Sequence, residues 1–193
     1  MTAVSYDEAL AALEARLGKK ATKHCKRVSE AAVVLAIAYG VDLDLARLAG
    51  LLHDWDREQS PDELLASAKA AGIEIAPADE ATPRLLHART GALAARAALP
   101  GLPDEVVNAI SRHTIGALGM SDLDMVIYMA DMIESHRDYL GVNELRDAVG
   151  AVSLAEVFAL GYRQSVHHLV EARKLIHPVT IDVWNEYVAG EPR

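Results

Sequence analysis

The stretch LLHDWDRE, residues 51–58, sets two leucines directly before His53-Asp54. Taken alone, the His-Asp pair is an ordinary helix end with Asp54 facing water. Taken with partners elsewhere in the chain, it is two adjacent metal ligands, one imidazole and one carboxylate. Immediately upstream, VDLDLARLAGLL (41–52) carries leucine and alanine at helical spacing. Asp42 is placed to cap that helix, so the pair stands where the helix runs out.

Helical patterning extends over most of the chain. Ser5 to Leu17 is amphipathic, with Leu10, Leu13 and Leu17 on one face, and Gly18 stops it. Lys20 to Tyr39 follows and Gly40 closes it in the usual C-terminal manner. Ser60-Pro61-Asp62-Glu63 is a helix start, with a capping serine, proline in the first turn and acids at the positive end. That helix ends near Gly72, and IEIAPADEATP (73–83) reads as the clearest loop. Helices are then expected over Arg84–Ala97, Pro103–His113, from the Ser121 cap to about Glu134, and Ser153–Leu175. A loop opens at Gly141, and a last short helix spans Thr180–Tyr187. The pattern predicts an all-α bundle forming a single domain over 1–193, its core at about 20–185 behind an N-terminal helix.

Composition narrows the function. Of 193 residues, 51% are apolar, enough for a substantial core, and alanine, leucine and valine favour helices over sheets. A formal charge of −9 argues against a general nucleic-acid binder. It leaves room for a phosphorylated small molecule, because a metal masks local repulsion. The single cysteine, Cys25, excludes an intramolecular disulfide and fits a reducing cytoplasm. No apolar run approaches the roughly 20 residues of a membrane span. The N-terminus MTAVSYDEALAALEARL has acids early and no basic region before an apolar core, unlike a signal peptide. A cytoplasmic protein is expected, with a homodimer left open.

The chemistry lies in the order of ligand-type residues. His24 comes early in the second helix, then His53-Asp54, His87 in LLHARTGA, His113 in ISRHTIG and Asp131 in DLDMVIYMADMIE. Asp131 sits in a helix otherwise apolar along the face of Met125, Tyr128, Met129 and Met132. An ionised carboxylate there is costly unless paired or metal-bound. A single helical histidine is ordinarily a surface or satisfied core residue. Six residues in this order are a candidate metal site of a kind that helical bundles build from facing helices. Imidazole and carboxylate suit iron, manganese or zinc, and the lack of cysteine ligands disfavours a structural zinc site.

This order resembles the HD-domain superfamily of metal-dependent phosphohydrolases. The stretches LAGLLHDWDRE, LLHARTGALAARAA, AISRHTIGALGMSDLDMVIYMADMIESHRD and LIHPVTIDVWN are similar to its YqeK-type branch, the symmetrical diadenosine tetraphosphate hydrolases. The resemblance implies a binuclear centre, iron by expectation. His24, His53, Asp54 and Asp131 match its first metal position, His87 and His113 complete the second, and Asp54 bridges. Arg27 and Arg137 match basic positions that meet phosphate, and Thr114 matches a residue that hydrogen-bonds phosphate or water. The implied reaction is hydrolysis of a dinucleoside polyphosphate by metal-activated water, giving two ADP from diadenosine tetraphosphate. Related readings are action on mononucleotides or a guanosine alarmone, and a nucleotide sensor without turnover.

The chain also departs from the family pattern. Arg57 stands where lysine is common, so it can stabilise phosphate but is a poor proton donor. Ala21 replaces a usual arginine, and IESHR replaces IEP-x-R, bringing His136 near the site. Trp55 suits either stacking on a base or packing. His167 and His168 read as helix surface, His177 as a loop residue, and Cys25 as buried and inert.

Overall fold

Serine caps set the start of four helices. Ser5, Ser60, Ser121 and Ser153 each accept from the backbone N–H three residues on, while Glu8, Glu63, Asp124 and Glu156 reach back to complete a capping box. The computed structural model describes residues 4–189. Among them are eleven α-helices and no strand: α1 (Tyr6–Arg16), α2 (Lys19–Tyr39), α3 (Leu43–Leu52), α4 (Pro61–Ala70), α5 (Pro77–Ala81), α6 (His87–Ala98), α7 (Asp104–Arg112), α8 (Asp122–Ile133), α9 (Val142–Ala148), α10 (Leu154–Glu171) and α11 (Pro178–Tyr187). One 3-10 turn, Pro83–Leu86, leads into α6. No helix among the described residues is long and apolar enough to cross a membrane. The expected all-α bundle is the observed architecture.

The core forms where α2, α3, α7 and α8 meet, with α10 covering α8 from the other side. Leu35, Leu51, Ile110, Ile127, Met129 and Phe158 are fully buried there. Helix α3 approaches α2 closely because Gly50 has no side chain. A Cβ at Gly50 would lie 2.9 Å from Ser29 Cα and 3.1 Å from Ala32 Cβ. Ser29 Oγ donates to the Arg47 carbonyl at 2.7 Å in the same seam. The close approach brings the C-terminal end of α3, with His53 and Asp54, alongside His24 on α2.

The turn after α3 is held from outside by α1. Arg16 donates through Nε to the Trp55 carbonyl at 2.7 Å and pairs with the buried carboxylate of Asp56. Its guanidinium stands 5.4 Å from the centre of the Trp55 ring. Glu58 accepts from the Gly18 N–H at 2.7 Å. Trp55 is therefore buried packing against α1, not an open platform for a base.

Several local expectations are corrected. The segment read as a loop over 73–83 contains α5 and the start of the 3-10 turn. Its proline-rich sequence looks like a breaker, yet Pro77 opens α5 at a position that needs no N–H. Tertiary contact then fixes the segment: Asp79, fully buried, accepts from Arg89 at 2.5 Å and pairs with His177 at 3.2 Å. His177 does lie in the loop before Pro178, as expected, but it is buried and bonded there rather than free. It caps α11, accepting through Nδ1 from the Val179 N–H at 3.1 Å, and α11 starts at Pro178, ahead of the expected Thr180. The stretch after Gly141 holds α9, and the expected helix to Leu175 stops at Glu171, where Arg173 adopts a φ of 52°.

The Gly50 contact is testable. Gly50→Ala should lower stability by about 1–3 kcal/mol through overpacking of backbone against backbone. Urea unfolding of the two proteins measures this, and an unchanged midpoint would mean that the α2–α3 seam has slack.

Candidate metal centre

Three of the four histidines of the centre are oriented by the same device. His53 follows the last residue of α3, His113 follows the last residue of α7, and His87 follows the 3-10 turn. At such ends the backbone carbonyls lack helical partners. Each ring turns its Nδ1 back onto one of them: His53 to Gly50 at 2.9 Å, His113 to Ile110 at 2.7 Å, His87 to Arg84 at 2.5 Å. A carbonyl only accepts, so each Nδ1 carries a proton and each Nε2 is the nitrogen left facing the centre. His24 lies inside α2, where carbonyls are taken, and its Nδ1 faces Glu134 Oε1 at 3.4 Å instead.

The four Nε2 atoms converge on two carboxylates. Asp54 is the hinge: Oδ1 lies 2.9 Å from His87 and 3.7 Å from His113, while Oδ2 lies 3.4 Å from His53 and 3.6 Å from His24. Asp131 Oδ1 adds to the second half, 3.1 Å from His24 and 3.9 Å from His53. All six residues singled out from the sequence as metal ligands thus come together, divided between the two oxygens of Asp54. Ligand atoms of His24, His53 and Asp131 lie within 4.8 Å of one another, as do those of His53, Asp54 and His113.

The donor set fits divalent cations. The Nε2 atoms of His87 and His113 are 3.1 Å apart, and both Nδ1 protons are already committed to carbonyls. Two bare lone pairs repel at that distance unless a proton or a metal ion lies between them. His53 Nε2 is buried without a hydrogen-bond partner among the described residues. A buried polar atom left unpaired is costly, and a cation satisfies it.

Electrostatics divides the rings. Burial opposes charge on His53, but Asp54 and Asp131 outweigh it and push the ring up to about 9. Burial, reinforced by His53 and His87, pulls His113 down to about 4. Both carboxylates stay ionised: burial works against Asp54, yet the surrounding imidazoles hold it well below the usual range. The same is true of Asp131 against His24, His53 and Arg137. Cys25, beside His24, is pushed far up by burial, so its thiol stays protonated.

The arginines expected at phosphate are anchored to the centre's acids. Arg137 donates through Nη2 to Asp131 Oδ1 at 2.5 Å and through Nε to the Asp131 carbonyl at 2.8 Å. Arg57 is half exposed, its Nε 3.9 Å from Asp54 Oδ2. Arg27 turns its fork away, onto Glu134 at 2.6 Å and 3.5 Å. Thr114 Oγ1 lies 3.2 Å from His113 Nε2. His136 is exposed, while its backbone N–H donates to Glu134 Oε2 at 2.9 Å. Glu134 itself was not singled out from the sequence. It is buried and serves His24, Arg27 and the 134–137 turn at once. Its place in the IE-x-x-R segment was the available signal.

Two measurements check this geometry. Below about pH 9 a cation must displace the proton on His53. Affinity for manganese should therefore rise roughly tenfold per pH unit through neutrality and flatten only above about pH 9. Calorimetric titration across that range reads the slope, and a flat profile would remove His53 from the ligand set. Glu134→Ala should weaken metal binding by about 10–100-fold by freeing the His24 ring. Competition with a chelator decides, an unchanged affinity denying Glu134 any orienting role.

Comparison with known proteins places the chain. The symmetrical bis(5'-nucleosyl)-tetraphosphatase of Bacillus subtilis is 28% identical, over 97% of this chain and 100% of that one. The protein of the same name from Halalkalibacterium halodurans is 32% identical, over 93% of this chain and 95% of its own. The crystal structure of a protein described as a predicted HD superfamily hydrolase involved in NAD metabolism, from Clostridium acetobutylicum, superposes with a TM-score of 0.89 at 31% identity, covering 98% of this chain and 100% of that one. The family described as HD domain matches residues 22–158, and the chain belongs to the HD-domain family.

Proposed function

We propose that this protein hydrolyses dinucleoside tetraphosphates symmetrically, giving two ADP from diadenosine tetraphosphate, with two divalent ions, iron foremost, held by His24, His53, Asp54, His87, His113 and Asp131. Manganese or zinc suits the same donors. The observation that carries the reading is the split of Asp54, one oxygen toward His87 and His113, the other toward His24 and His53. A single-ion site has no use for that division. The relatives named as tetraphosphatases over nearly their whole length supply the substrate class.

Ions bound there lower the pKa of water to near neutrality and offset phosphate charge. The chain's own residues do the rest. Asp54, its carboxylate kept ionised by the imidazoles around it, holds the two halves of the centre in register. Arg57 and Arg137 stand at its edge, where a guanidinium fork faces phosphate oxygens well. Arg27, committed to Glu134, acts by holding that carboxylate under His24. Thr114 offers a hydroxyl beside His113. The oxygen of water would join one central phosphorus, its proton released to solvent, and the bridging P–O bond would break with its electrons going to the departing ADP. That group is a weak base, so the absence of a strong proton donor at Arg57 is no obstacle.

The bond that breaks tests the reading. Iron-loaded protein, prepared without oxygen and sampled early by chromatography, should convert diadenosine tetraphosphate to ADP alone. AMP with ATP would mean an asymmetric enzyme, and no turnover would remove the hydrolase reading altogether.

A further inference from the structure

A groove of about 870 Å³ opens beside the metal centre, between the loop after α8, the start of α9, and α10. That volume lies within the roughly 300–1,000 Å³ typical of small-molecule sites. We propose that this groove seats the second, departing nucleotide half of the substrate, through Tyr139, Arg163 and Gln164; the proposal rests on the hydrolytic reading above.

Continuity is the first argument. Arg137 lines the groove and also donates to Asp131 Oδ1, itself 3.1 Å from His24 Nε2. A polyphosphate leaving the candidate centre past Arg137 therefore enters the groove. The second argument is apolar surface. Leu140 is fully exposed and Tyr139 partly so, side by side on the groove wall. Large apolar side chains grouped beside a charged centre mark a binding surface, and a flat purine suits them. The third is an unpaired polar atom. Gln164 Nε2 donates to the Gly141 carbonyl at 3.4 Å, while its Oε1 is buried without a partner among the described residues. An adenine amino group or a ribose hydroxyl would satisfy it. The fourth is charge. Arg163 lines the groove and is exposed, with no acidic partner among the described residues. Of the two acids in the wall, Glu171 lies 3.6 Å from His167, and Glu144 lies in the first turn of α9.

The experiment compares two substrates. Adenosine 5'-tetraphosphate keeps the polyphosphate but lacks the second nucleoside. The parent protein should prefer diadenosine tetraphosphate by about tenfold or more in kcat/KM, because remote binding energy is then used. Tyr139→Ala and Arg163→Ala should each lower kcat/KM for the dinucleotide at least about fivefold more than for the mononucleotide. Metal content, measured by elemental analysis, should match the parent. Equal losses on both substrates, or no loss, overturn the groove while leaving the hydrolase intact. No turnover by the parent overturns the hydrolase reading and the groove with it. Sedimentation separates one more occupant: a dimer broken by Tyr139→Ala with unchanged kinetics per subunit would give this face to a second copy of the chain.

Discussion

A hydrogen bond from an imidazole Nδ1 to a carbonyl at the end of its own helix underlies the whole centre. Gly50, Arg84 and Ile110 each supply such a carbonyl. The bond does two things at once. It gives a carbonyl at the end of the element a side-chain partner, and it fixes the ring so that Nε2 points inward. Because the carbonyl lies three residues back, each histidine must sit just past a helix end. The bundle therefore has to bring helix ends, not helix faces, to one place, and short elements such as α3, α7 and the 3-10 turn serve that need. His24, placed within α2, cannot use the device and takes Glu134 as a substitute acceptor.

Burying this much charge requires compensation at every step. Asp54 and Asp131 remain ionised because imidazoles and Arg137 face them, and His53 gains basicity for the same reason. The neighbouring segment repeats the logic without a catalytic purpose: Asp56, buried, is met by Arg16 from α1. Gly91 on α6 lets that helix close on the turn, since a Cβ there would lie 3.2 Å from Asp56 N. The His-Asp turn is thus clamped by α1 on one side and α6 on the other. Ligands set in a rigid frame need little reorganisation when a cation arrives.

Much of this was legible in the sequence because the relevant signals are local. Serine caps, Gly18, Gly40 and helical spacing mark most of the elements, and the order His24, His53-Asp54, His87, His113, Asp131 singles out the residues that converge. What was hidden depends on partners far along the chain. Nothing around Asp79 announces that His177, 98 residues away, turns a proline-rich stretch into a fixed corner. Glu134 looks like a helix-end acid, and only its 107-residue reach to Arg27 and 110-residue reach to His24 makes it a hub. Trp55 could be read two ways until Arg16 was seen above its ring. Helix α9, missed after Gly141, is only seven residues long, and the end misplaced at Leu175 is set by tertiary contact as much as by propensity.

The acidic charge of the chain and its proposed polyanionic substrate are reconciled at the same centre. Arg57 and Arg137 each face a carboxylate there, Asp54 in one case and Asp131 in the other. Without cations, those carboxylates hold the guanidinium groups as counterions. Once the carboxylates are shared with divalent ions, the arginines lose much of that attraction while the hydrogen bond from Arg137 Nε to the Asp131 carbonyl keeps its position. On the proposed function, positive charge would then face outward at the place where phosphate arrives. The net charge of −9 describes the rest of the surface, and a highly charged small anion is selected by a short-range field that salt screens little at contact distance. On the proposed function Arg57 suits that place better than lysine: a guanidinium stays charged as the carboxylate beside it is neutralised, where a lysine amine would be open to losing its proton.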